Sequence, residues 1–249
     1  MISFAGRNFK EMMREKVNLF FGLAFPILIL LLLYILGRNI PSGAQMDMFS
    51  LRTLTPGIAV FGLSFVSLFG GMIVARDRCE AFLTRLFSSP LKANDFLFGY
   101  TLPMFPLAVA QVLCCFIVAL VLGLEAGFVN IVMCVLTILP AAVLFISIGL
   151  LCGSSMTDKQ VGGVCGALLT NVSAWLSGTW FPLELFGEAG KKIAYCLPFA
   201  NAVDAARSAL NGDYGAIMGK LWIVMVYAAA LFALAVFVFR RKMKSGGGK

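Results

Sequence analysis

The stretch "TPGIAVFGLSFVSLFGGMIVARDRCEAFLTRLFSSPLKANDFLFG", residues 55–99, holds the contrast that decides the fold of this chain. Its first part, Thr55–Ala75, contains no Asp, Glu, Lys or Arg. It is long enough for a helix to cross the hydrocarbon layer of a bilayer, which takes about 20 apolar residues. Its second part sets Arg76, Asp77, Arg78, Glu80, Arg85, Lys92 and Asp95 close together and breaks at Ser88-Ser89-Pro90.

Reading outward, Val17–Gly37, Thr101–Gly123, Phe128–Leu151, Val161–Phe181 and Ile217–Phe239 repeat the apolar pattern, and Lys220 is the one charged residue within the six runs. The whole chain of 249 residues is 60% hydrophobic and 13% charged. A soluble domain carries about a quarter charged residues, so this composition cannot clothe a water-facing surface. Unbroken apolar runs also exclude a transmembrane barrel, whose strands alternate. The expectation is an all-α integral membrane protein, a single transmembrane domain over 1–249 with six spans.

Six crossings place both termini on one side. Of the 20 basic residues, 14 fall on that side and 6 on the other. Positive loops stay in the cytoplasm, so the termini are expected inside a prokaryotic plasma membrane. The net charge of +8 is thereby explained as topology, which disfavours a nucleic-acid partner. Residues 1–16 read as an interfacial helix, with Ile2, Ala5, Phe9, Met12 and Met13 on one stripe and Arg7, Lys10, Glu11 and Arg14 opposite. That start is too charged for a cleavable signal, and residues 240–249 read as a basic tail.

The charged insert is itself patterned. Cys79, Phe82, Leu83, Leu86 and Phe87 share one helical face, with Arg78, Glu80, Thr84 and Arg85 around the other. The residue before a proline avoids helical geometry, so the helix stops at Ser89-Pro90. Asn94 or Asp95 then suits an N-cap. From pattern alone the insert is either a loop anchor at the membrane edge or a docking element for a cytoplasmic partner.

Chemistry is sparse. The chain has no histidine, its seven cysteines lack metal-ligand spacing, and "GEAGKK" and "GGGK" do not meet the phosphate-loop pattern. The spans lack carboxylates, which disfavours an ion-coupled carrier, and no base or metal site argues for an enzyme. What remains is aromatic and neutral: Phe61, Phe65 and Phe69 at i, i+4 and i+8, then Gln111, Asn171, Trp175 and Trp180. The phenylalanine stripe fits helix packing as well as a substrate path. Gly70, Gly71, Gly162, Gly163 and Gly166 suit close helix approach. Residues 182–216 are too polar to span, divide at Pro182 and Pro198 into two short helical patterns, and place Asp204 and Arg207 as i,i+3 neighbours.

"ARDRCEAFLTRLFSSPLKANDFLFG" and "SGTWFPLELFGEAGKKIAYCLPFANAVDAARSAL" (residues 177–210) together resemble the cytoplasmic and outer signatures of type-2 ABC transporter permeases. Cys79 departs from the small or charged residue common at that point. The resemblance implies a membrane subunit without its own ATPase site, metal or cofactor. Two cytoplasmic ATPase subunits would bind ATP and Mg, and a second permease copy or close relative would complete the unit. It also implies a coupling helix over 76–90, with Arg76, Arg78, Glu80, Phe82, Leu83, Arg85, Leu86 and Phe87 at the ATPase, and a second contact at Cys152–Gln160. Phe61, Phe65, Phe69, Asn171, Trp175 and Trp180 would face the pathway, and Glu184, Asp204 and Arg207 the outer segment. An apolar lining favours export of a hydrophobic or amphipathic cargo, drug-like or lipid-linked; a glycan-lipid exporter is the alternative within the family.

Overall fold

The structure is a computed structural model and describes residues 2–40, 49–79 and 93–246. These residues are predominantly helical, with no strand among them. An amphipathic helix, α1 (Ile2–Arg14), lies across one end of the bundle. The chain turns at Glu15 into α2 (Lys16–Leu19), passes through a π-helical run at Phe20–Ala24 and continues as α3 (Phe25–Asn39). Then follow α4 (Leu51–Cys79), α5 (Ala93–Val121) and α6 (Phe128–Ser155). A composite helix comes next: α7 (Asp158–Val161), a second π-helical run at Gly162–Leu169, and α8 (Thr170–Leu176). A 3-10 turn (Leu183–Phe186) leads to α9 (Gly187–Cys196), α10 (Pro198–Leu210) and the final α11 (Ile217–Gly246).

Five helices among the described residues are long and apolar enough to cross a membrane: Phe20–Asn39, Leu51–Arg78, Phe98–Val121, Phe128–Ser155 and Tyr214–Arg241. The protein is a multi-pass membrane protein. The stretch expected as a span over Val161–Phe181 is helical only to Leu176 and turns at Gly178, whose φ of 68° favours glycine. Other helices overrun the apolar limits read from sequence: Leu51–Cys79 replaces Thr55–Ala75, because Arg52, Asp77 and Arg78 find partners at the bundle ends without leaving helical geometry.

Helix α4 is the hub. Its apolar window is 89% buried, against 17% for α11, which therefore leaves most of its surface outside the bundle. Between helices in lipid there is little hydrophobic drive, so close contact depends on small residues. At Gly149 an added Cβ would lie 2.3 Å from the Ser67 carbonyl oxygen, and at Gly153 2.4 Å from that of Gly71. The α4–α6 crossing is thus backbone against backbone. Gly162 and Gly163, expected to serve close approach, meet nothing within 4 Å, whereas Gly70 and Gly71, expected likewise, lie against Met104 and against Gly149 with Val161, and Gly166 touches only the Leu68 side chain.

Candidate functional site

A cleft of about 300 Å³ opens between α3, α4 and the composite helix. Phe21 and Phe25 form one wall, Phe61 and Phe65 the floor, and Gly166, Thr170, Asn171, Ala174, Trp175 and Trp180 the other wall. Local sequence explains the shape. Phe61 and Phe65 are one helical turn apart with ring centroids 5.7 Å apart, edge to face. Phe25 packs edge-on against Phe65 at 5.3 Å and Trp180 against Phe61 at 5.6 Å, geometries that the ring quadrupoles favour. On the far wall the π run leaves carbonyls that ordinary helical bonds do not reach. The Thr170 hydroxyl donates to the Cys165 carbonyl at 2.9 Å and the Asn171 amide to that of Ala167 at 2.7 Å. Asn171 therefore serves its own backbone while facing the cleft. The Trp180 Nε1–H is shielded and has no acceptor, an uncommon cost for a buried donor.

Five of the six residues expected to face a pathway meet at this cleft. Phe69 does not: it is buried one turn beyond Phe65, where its ring packs against Gly22. The phenylalanine stripe thus does both jobs, lining at one end and packing at the other.

The α1 end of the bundle carries a polar collar. Asp77, 2% exposed, receives two hydrogen bonds from Arg7, at 3.0 and 3.2 Å, and one from the Tyr100 hydroxyl at 2.8 Å. Asn8 donates to the Gly99 carbonyl at 3.2 Å. Arg76 pairs with Glu15. Arg78 donates to the Ser154 carbonyl at 2.9 Å and to that of Met156 at 2.6 Å. Four elements are thereby tied together where α4 ends. Burial pulls the Arg7 guanidinium down, but the hydrogen bond and charge of Asp77 outweigh it and hold the group charged. Glu11 shifts upward, mainly through burial, although Arg7 lies 3.0 Å away.

Two expectations change here. The buried face of α1 is Phe4, Ala5, Asn8 and Met12, while Phe9 and Met13 are exposed, because Asn8 has a carbonyl to bind on α5. The Cys152–Gln160 loop shrinks to Met156-Thr157, since Cys152–Ser155 complete α6 and Asp158–Gln160 open α7 under a capping box from Thr157 and Gln160. Arg76 and Arg78 occupy the helical end of α4; Glu80, Phe82, Leu83, Arg85, Leu86 and Phe87 lie outside the described residues. Asp77 was visible in sequence as one more charge of the insert; its burial and its partner 70 residues away were not.

At the other end Arg207 acts as a tie. It donates to the Thr53 carbonyl at 3.1 Å and the Gly178 carbonyl at 2.9 Å, joining α10 to the start of α4 and to the turn after α8. Asp204 lies 3.7 Å from both Arg207 and Lys220 and accepts from the Tyr195 hydroxyl at 2.7 Å. Burial lowers the Arg207 pKa, and burial with the Asp204 carboxylate pushes Tyr195 up to about 12. Glu184 stands apart, exposed and 3.6 Å from Lys191. No cluster suited to a metal occurs among the described residues.

Comparison with curated protein sequences finds no match. The family model for ABC-2 type transporters matches residues 2–211, from α1 through the collar, the cleft and the Arg207 tie to the end of α10. A helical multi-pass body, an amphipathic first helix and a family match over most of its length lead to one assignment: the chain belongs to the ABC-2 type transporter family and is its membrane permease component.

Proposed function

We propose that this permease exports a hydrophobic or amphipathic molecule with energy from separate ATPase subunits. The observation that carries this reading is the cleft: aromatic on three sides, with Thr170 and Asn171 as its neutral polar groups and no ionisable side chain among the described residues. Such a surface offers area and ring contacts to an apolar cargo and nothing to a coupling ion. Six spans, counting the composite helix as the fifth, put both termini in the cytoplasm. The ATPases dock on the collar end, at α1 and the segment that begins with Arg76 and Arg78, and a second permease copy or close relative faces the cleft. A push there reaches α4 directly, because Arg7, Tyr100 and the carbonyls of α6 hold its last turn. At 1.5 Å per residue α4 is a rod of about 43 Å, so motion at the collar displaces Phe61 and Phe65. The outer tie at Arg207 is the point against which the rod turns.

The test is a reconstituted complex of permease and ATPase in vesicles, with a panel of lipophilic cations and lipid-linked compounds. F65A and W180F should raise the cargo concentration for half-maximal transport about tenfold, the loss expected on truncating one central contact. W180F also removes a donor without an acceptor, so its melting temperature should hold or rise. Unchanged cargo dependence in both variants would sink the assignment of the cleft.

A further inference from the structure

A second, larger cavity, about 480 Å³, lies at the bundle end opposite α1, and nothing in the transport reading uses it. Its walls are the end of α3 (Tyr34, Gly37, Arg38), the entry to α4 and its first turn (Phe49, Ser50, Leu51, Arg52) and the α5–α6 connection (Leu122–Glu125). The frame is fixed by bonds between elements. The Tyr34 hydroxyl donates to the Leu122 carbonyl at 3.1 Å, and Arg52 donates to the Glu125 carbonyl at 2.5 Å. Gly123, at φ 98°, makes the turn that brings Leu122 and Glu125 to the same rim. Arg38 stacks over the Tyr34 ring at 5.8 Å. Among the described residues neither Arg38 nor Arg52 forms an ion pair with a carboxylate.

Among the described residues, two guanidinium groups and one carboxylate, that of Glu125, give the lining a formal charge of +1. That balances a monoanion. Below the cavity the membrane-facing flank is apolar and exposed, with Leu32, Ile35 and Leu36 on α3 and Val121 at the end of α5. A ligand that matches both features has an anionic head and acyl tails. We propose that this cavity holds the phosphodiester head of a membrane phospholipid, with Arg38 and Arg52 on its anionic oxygens and its chains along α3. Guanidinium is the group that binds phosphate oxygens in pairs. A diester carries one negative charge, whereas free phosphate and phosphomonoesters approach two, and the Glu125 carboxylate opposes the second.

The full-length permease in phosphatidylcholine nanodiscs, doped with phosphatidylglycerol, tests this by native mass spectrometry of lipid that stays bound. R38Q/R52Q should lower retention of phosphatidylglycerol about tenfold. K192Q, an exposed cation elsewhere, should leave it unchanged. E125Q should move preference toward phosphatidic acid, whose head carries the extra charge. Equal retention by R38Q/R52Q and the parent chain overturns the site. Displacement of the lipid by free glycerophosphoglycerol, the soluble diester head, overturns its membrane source, and a preference unmoved by E125Q overturns the charge matching on which the diester rests.

Discussion

Asp77 is the residue at which composition and structure part company. In sequence it belongs to a run of charges that reads as solvated; in the fold it is a buried acid with three donated bonds. Removing one partner of a buried ion pair costs about 3–5 kcal/mol, because the other charge is left without compensation. Arg7 is 38% exposed, so water recovers part of that loss. R7A should therefore destabilise the permease by about 1–3 kcal/mol, and R7A/D77N by less than the two single changes added together. Thermal unfolding of the four proteins closes the cycle; strict additivity would mean that the pair does not hold α1 in place. The lesson for sequence reading is specific. Helical periodicity ranks the faces of α1 by apolarity, but the face that wins includes Asn8, because an acceptor waits at Gly99. No local pattern reports a partner on another helix.

At the scale of helices, most of the architecture was legible. Hydropathy locates the long spans, since lipid demands about 20 apolar residues whatever the neighbours are. It does not locate helix ends, which depend on caps and on polar partners beyond the apolar run, as the overrun of α4 shows. The α4–α6 crossing was legible only in part: Gly71 stood out as small and packs there, but the small-xxx-small pair Gly149 and Gly153, facing Ser67 and Gly71, was not singled out. Gly162 and Gly163, marked in sequence for the same reason, instead lie in the π run of the composite helix. The two sets predict opposite outcomes. G149A places a methyl group inside van der Waals contact with a backbone that cannot retreat and should cost about 3 kcal/mol. G162A meets open space and should be neutral or stabilising by up to about 1 kcal/mol. Detergent melting curves of the two variants, in either order but this one, would remove the backbone-contact account of the crossing.

On the scale of the molecule, α4 is held at both ends and lined at its middle. The collar grips its last turn, Arg207 grips the Thr53 carbonyl in its first, and the cleft rests on Phe61 and Phe65 between them. R207K keeps the charge but has one ammonium where the native side chain reaches two carbonyls. It should leave insertion and ATPase binding intact and cut transport severalfold, with faster labelling of an introduced cysteine at Ser177 by a membrane-impermeant reagent. Full transport with unchanged labelling would show that the tie does not control the outer end. The cleft was legible as a set of candidates because aromatic and neutral polar side chains are conspicuous where nothing is charged. Its depth limit was not, since the difference between Phe65 and Phe69 is made by Gly22 on another helix. That neighbouring glycine belongs to a wide-turned stretch, and a second such stretch, containing Gly166, faces it across the opening. Five-residue hydrogen-bond repeats are loosely wound and rarely extend far, so each wall contains a coil that can tighten. When one does, every side chain beyond it swings about the helix axis, and the opening presents a different surface to its contents while the rod between the walls keeps its length.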